Sequence, residues 1–175
     1  MQERLFPSGP LSLNGIEAAG RCRPAQSIGG DYYDYFNLGG DALCFAVGDV
    51  SGKGIPAALL MASLQSSLRG LQLGGVLDPA ALMEKLNLLL WMSTARSRFA
   101  TLFYGVYTPS TGQVRYASAG HHSSIVLRAG GEVELLSERG IALGLTRQTS
   151  YPQGAVSLQS GDTLIAYSDG ISEAK

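Results

Sequence analysis

From Phe99 to Tyr167 the chain offers six short runs of β-forming residues, separated by glycine-rich turns and broken by no helix-length pattern. They are Phe99–Thr108, Gln113–Ala119, Ser123–Arg128, Val133–Leu136, Ala155–Leu158 and Thr163–Tyr167, with turns such as Ser110-Thr111-Gly112 and Ala129-Gly130-Gly131 between them. Upstream, β-suited runs lie in 16–23 and 31–38, and Ala42–Val50 follows across the turn signal Gly39-Gly40-Asp41, which reads as a hairpin. Two helices come next. Pro56 stands in a first turn, and Ala57, Met61, Leu64, Leu68 and Leu71 recur at helical spacing to about Leu73. Asp78-Pro79 reads as N-cap and first residue of the second helix, with Leu82, Leu86, Leu89 and Leu90 along one stripe. Strands, a helix pair and more strands argue an α+β fold, with helices laid on stacked antiparallel sheets.

The chain has 175 residues, 45% of them hydrophobic and only 15% charged, so one domain with a substantial core is expected over 1–175. Thirteen Lys and Arg against fourteen Asp and Glu leave a formal charge of −1. That excludes charge-driven binding to a nucleic-acid backbone or an acidic membrane surface. Cys22 and Cys44 are too few for a disulfide framework and lack CxxC spacing, so reduced thiols are expected. The first residues lack the apolar stretch of a signal peptide, and no apolar run is long enough to span a membrane. A cytoplasmic location is the expectation.

Chemistry concentrates where acidic residues meet glycine at strand ends: Gly29-Gly30-Asp31, Gly48-Asp49 and Ser168-Asp169-Gly170. A hairpin centred on Gly40 sets Asp31 opposite Asp49. Two like charges so placed repel, so either a cation sits between them or the register differs. Asp34 is an odd step from Asp31 and is expected on the other face. Carboxylates without nearby His or Cys suit Mg²⁺ or Mn²⁺ better than zinc. The competing reading is that the aspartates only begin and end turns. Val47-Gly48-Asp49-Val50-Ser51-Gly52-Lys53-Gly54 is a strand, a glycine loop and a helix start, but it lacks the spacing of a Walker phosphate loop.

This loop, preceded by Gly29-Gly30-Asp31-Tyr32-Tyr33-Asp34 and followed by Ala119-Gly120-His121 and Tyr167-Ser168-Asp169-Gly170-Ile171-Ser172-Glu173-Ala174, resembles the SpoIIE/RsbU branch of the PPM serine/threonine phosphatases. The likeness runs from about Leu5 to Lys175 and includes Leu5-Phe6-Pro7, Phe99-Ala100-Thr101-Leu102 and Ser160-Gly161-Asp162. It implies a PPM-type α-β-β-α sandwich and Mn²⁺- or Mg²⁺-dependent hydrolysis of phosphoserine or phosphothreonine. The implied substrate is an anti-anti-sigma protein of the STAS type in bacterial partner switching, and a sensor domain ordinarily stands upstream. Asp31, Asp49 and Asp169 match the family's metal ligands, and Val50 offers a backbone carbonyl.

Ser51 stands where eukaryotic relatives carry a histidine. The family continues past the Ser-Asp-Gly motif with helices, a last strand and another metal ligand, so the sequence reads as a domain cut after that motif. From this follow three expectations: at most one tightly held ion, bare residues on the late strands with homo-oligomerisation to cover them, and an alternative role as a catalytically weak or silent protein-binding module. His121 is read either as an acid-base group or as a loop-shaping residue, and Lys53 as a phosphate contact or a solvated cation. Tyr32, Tyr33, Tyr35 and Phe36 are expected to pack a sheet, and Glu173 to stand behind the site.

Overall fold

The computed structural model describes residues 5–23, 28–37, 42–75, 77–94 and 98–172. A small hairpin, β1 (Leu11–Leu13) and β2 (Ile16–Ala18), precedes a five-stranded antiparallel sheet. That sheet has the order β3 (Tyr32–Asn37), β4 (Leu43–Val50), β5 (Ala100–Thr108), β6 (Gln113–Ala119), β9 (Gln153–Ser157). Helices α1 (Gly54–Leu73) and α2 (Pro79–Ser93) connect β4 to β5. A three-stranded sheet of order β10 (Thr163–Ile165), β7 (Ser124–Leu127), β8 (Val133–Leu136) lies on the opposite face, and α3 (Asp169–Ser172) follows β10. The expected antiparallel α+β architecture is present as a helix layer and two sheet layers among the described residues.

Alternation along the central strand explains the layering, because successive side chains point to opposite faces. Leu102, Tyr104 and Val106 of β5 join Met61, Leu64 and Leu68 of α1 and Leu82, Leu86 and Leu90 of α2 in one core. Phe103 points the other way and joins Val114, Tyr116, Val126, Leu136 and Val156 in a second core between the sheets. On the second sheet the alternate residues Val133 and Leu135 are each 62% exposed, as expected of late strands bare on one side.

The second helix starts as the sequence suggests: the Asp78 carboxylate accepts from the Ala81 N–H at 3.0 Å, satisfying a donor of the first turn, and pairs with Arg115 at 3.2 Å. Helix α1 is fastened to β3 by charge. The Asp34 side chain is fully buried on the helix-facing side, where it accepts from Arg69 Nε at 2.8 Å, Arg69 Nη2 at 2.9 Å and the Tyr32 hydroxyl at 3.0 Å. Tyr32 packs in the helix-side core, Tyr33 stacks on Phe6, and Phe36 lies under the Arg69 guanidinium, so the aromatic run serves packing as expected.

The turn assigned to Gly39-Gly40-Asp41 lies outside the described residues, but its register is visible on either side. Tyr32 pairs with Gly48 and Asn37 with Leu43, the register that the hairpin reading requires, with Asp31 immediately before β3 and Asp49 within β4. Hairpin β1–β2 was not foreseen as such. Its signal is Asn14-Gly15, whose positive φ angles of 44° and 86° suit the tight turn that Asn-Gly favours.

Candidate metal centre between the sheets

Strand parity puts Asp49 on the face of the five-stranded sheet that looks toward the second sheet, opposite to Asp34, and Asp31 stands immediately before β3. Thr101 of β5 is the Cα partner of Asp49 and shares that face. Val50 turns its side chain into the helix-side core, 1% exposed, and its carbonyl toward Gly30. A Cβ on Gly30 would lie 2.6 Å from the Val50 oxygen and 3.0 Å from Asp49 Oδ1, so only glycine leaves room there. Asp31 also opens onto a cavity of about 1300 Å³ that runs between the β1–β2 hairpin and the residues following β10.

The electrostatics mark a concentration of negative charge. Burial raises the Asp49 carboxyl to about 6, and the charges of Asp31 and Asp169 push in the same direction against the Val50 N–H bonded to it. Burial, and then the Asp31 charge, also raises the half-buried Cys22 thiol. Among the described residues, no three carboxylate, imidazole or thiolate groups are closed around one point. The oxygen-only donor set, the excess charge on Asp49 and the space kept open by Gly30 nevertheless fit a hard divalent cation.

The loop after Asp49 is sewn to the start of β5. Ser51 N–H donates to the Phe99 carbonyl at 2.9 Å, Phe99 N–H donates to Ser51 Oγ at 3.0 Å, and Arg98 Nη1 donates to the Ser51 carbonyl at 2.9 Å. Gly52 has φ +105°, and a side chain there would run into the Arg98 guanidinium. Ser51 therefore serves the loop. This stitching was not legible beforehand, because Arg98 and Ser51 are joined only by the register of β4 on β5. Lys53 is exposed just before α1.

His121 and His122 lie in the connection between β6 and β7. His121 is 1% exposed while His122 faces solvent, and their rings meet edge-on at 5.9 Å, so they do not chelate one ion as a pair. Burial, reinforced by His122, lowers His121 to about 4, and the ring is neutral near pH 7. Its Nε2 lies 3.1 Å from the Tyr167 carbonyl and its Nδ1 3.0 Å from Thr101 Oγ1. Glu173 lies outside the described residues.

A model of the SpoIIE family, described as stage II sporulation protein E, matches residues 39–175. The chain belongs to the SpoIIE family. It is 33% identical over 153 residues to phosphoserine phosphatase RsbU of Bacillus subtilis, covering 87% of this chain and 45% of that protein. A solved structure of the RsbU and RsbW domains of a Mycobacterium tuberculosis protein superposes with a TM-score of 0.75 at 27% identity, covering 85% of this chain and 41% of that one. The PP2C phosphatase domain of SpoIIE from Bacillus subtilis superposes at 0.73 with 23% identity, over 82% of this chain and 41% of that one, and extends the likeness of fold. The chain spans less than half the length of the curated relatives it matches. No helix among its described residues is long and apolar enough to cross a membrane.

Gly30→Ala should strike the scaffold and the site of this SpoIIE-family domain together. Its methyl group must displace the Val50 carbonyl, a strain of about 1–3 kcal/mol. Urea unfolding should register that loss, and Mn²⁺ affinity should fall with it because the Asp49-Val50 segment is what moves.

Proposed function

We propose that this domain hydrolyses phosphoserine or phosphothreonine on a protein substrate, a STAS-type anti-anti-sigma regulator, with Mn²⁺ or Mg²⁺ held by Asp31, Asp49, Asp169 and the Val50 carbonyl. The observation that carries this reading is the placement of the Val50 carbonyl and Asp49 Oδ1 against Gly30, with Asp31 and Asp169 near enough for their charges to act on Asp49, in a chain of the SpoIIE family. The resemblance of the Gly-Asp and Ser-Asp-Gly motifs to those of the phosphatases, and a curated relative called a phosphoserine phosphatase, support the choice of substrate chemistry.

A divalent cation held there would supply water activated near neutral pH and neutralise charge on phosphoryl oxygens. The protein's own part is positional. Asp31 and Asp49 approach from adjacent strands, Asp169 comes from the segment after β10, and Gly30 keeps the Val50 oxygen accessible. Ser51 Oγ accepts from the Phe99 N–H and so holds the loop that follows the Val50 carbonyl.

The test is turnover of an aryl phosphate and of a phosphoseryl peptide, with this chain and with one continued through the family's C-terminal segment. Hydrolysis should appear on adding Mn²⁺ to metal-free protein and vanish on chelation. Tight Mn²⁺ binding without turnover in either chain would instead favour the silent, partner-binding module.

A further inference from the structure

At the end of β6 the chain turns inward. Gly120 has φ +66°, its N–H donates to the Gly140 carbonyl at 2.8 Å, and the Gly140 N–H donates to the Ser118 carbonyl at 2.7 Å. A Cβ on Gly120 would press on the Ala142 backbone at 3.0 Å. The turn drops His121 into the interior. A carbonyl only accepts, so the proton on Nε2 is the one shared with Tyr167 at 3.1 Å. Nδ1 is then the acceptor, and Thr101 Oγ1 donates to it at 3.0 Å. Thr101 is the ladder partner of Asp49, with its hydroxyl 3.4 Å from the Asp49 carbonyl, and Tyr167 stands two residues before Asp169.

We propose that His121 is a positioning residue, a buried strut that ties the segment carrying Asp169 to the strand pair carrying Asp49 and so keeps the two carboxylates within reach of the same cations. The inference rests on reading Asp49 and Asp169 as ligands. It answers a physical difficulty of that reading. Strand β10 ends at Ile165, and the charges on Asp49 and Asp169 repel each other. The ring bridges this gap through both nitrogens, neither of which is left over for a metal or for a substrate proton. Groups standing behind metal ligands typically govern affinity by about 10–100-fold without touching the ion.

The test is titration of the metal-free chain with Mn²⁺, followed by loss of the free-ion electron paramagnetic resonance signal, with circular dichroism to verify folding. His121→Phe keeps a buried ring and removes both hydrogen bonds. It should weaken Mn²⁺ binding by about 10–100-fold, and His121→Gln, which can donate and accept, should recover part of that loss. A folded His121→Phe within twofold of the parent, or a glutamine variant no better than phenylalanine, overturns the strut. Should His121→Phe not fold, Thr101→Val removes the Nδ1 partner at nearly constant shape and must itself weaken binding severalfold; unchanged affinity again overturns the proposal. Asp169→Asn separates the two layers of inference. If it leaves affinity unchanged, the ligand reading fails and takes the strut with it; if it weakens binding while His121→Phe does not, the strut alone fails.

Discussion

Asp49→Asn should make the metal-free protein more stable and the metal-loaded protein inactive. Folding raises this carboxyl from 3.8 to about 6, so the folded state holds the proton more tightly than the unfolded chain. Below pH 3.8 both states are protonated and nothing is lost. As pH rises through that value the unfolded chain ionises first, and the folded protein loses stability until ionisation is complete above about pH 6. At about 1.4 kcal/mol for each tenfold change in proton affinity, the burden approaches about 3 kcal/mol, and relief by asparagine should be about 1–3 kcal/mol at pH 8. With Mn²⁺ at about 1,000 times its dissociation constant the parent gains about 4.1 kcal/mol by mass action, and the order reverses. Turnover should fall by more than the 10–100-fold typical of groups standing behind the ligands. Urea unfolding at pH 4 and pH 8, with and without Mn²⁺, reads the stabilities, and hydrolysis of an aryl phosphate reads the turnover. A variant less stable than the parent in the absence of metal would mean that Asp49 is a structural residue.

The largest purely structural effect should come from Arg69→Ala. Asp34 is fully enclosed and takes two hydrogen bonds from this guanidinium, so removing it leaves a carboxylate buried with only the Tyr32 hydroxyl as donor. Breaking a buried pair from one side costs about 3–5 kcal/mol. The surviving Tyr32 bond and the partial exposure of Arg69 argue for the lower end, about 3 kcal/mol. Thermal and urea unfolding near pH 7 check it. The double change Asp34→Asn with Arg69→Met should recover most of the loss, because no uncompensated charge remains.

Asp31, Asp34 and Asp49 illustrate what a sequence can reveal about such a site. Strand parity separated Asp34 from Asp31, and the hairpin register set Asp31 against Asp49; both rest on local regularity that needs no distant partner. The helix pair was equally legible, from leucine spacing and the Asp78-Pro79 cap. What escaped is what the chain brings together over long separations. Strand β9 returns to the first sheet while β10 joins the second, an order that local pattern does not encode. His121 looked like chemistry or loop geometry, and its strut becomes visible only when Thr101 and Tyr167 stand on either side of it. Arg98 on Ser51 is the same kind of contact. The Asn14-Gly15 hairpin, by contrast, was written in the sequence and overlooked.

The most direct measurement is anomalous diffraction at the manganese edge from crystals of this chain grown with Mn²⁺. An anomalous peak about 2.0–2.6 Å from carboxylate oxygens of Asp31 and Asp49, with the Val50 carbonyl and Asp169 facing it, is the result expected. A well-diffracting crystal at saturating Mn²⁺ with no peak between those carboxylates, or with its peak elsewhere, would contradict the metal centre and the hydrolysis built on it.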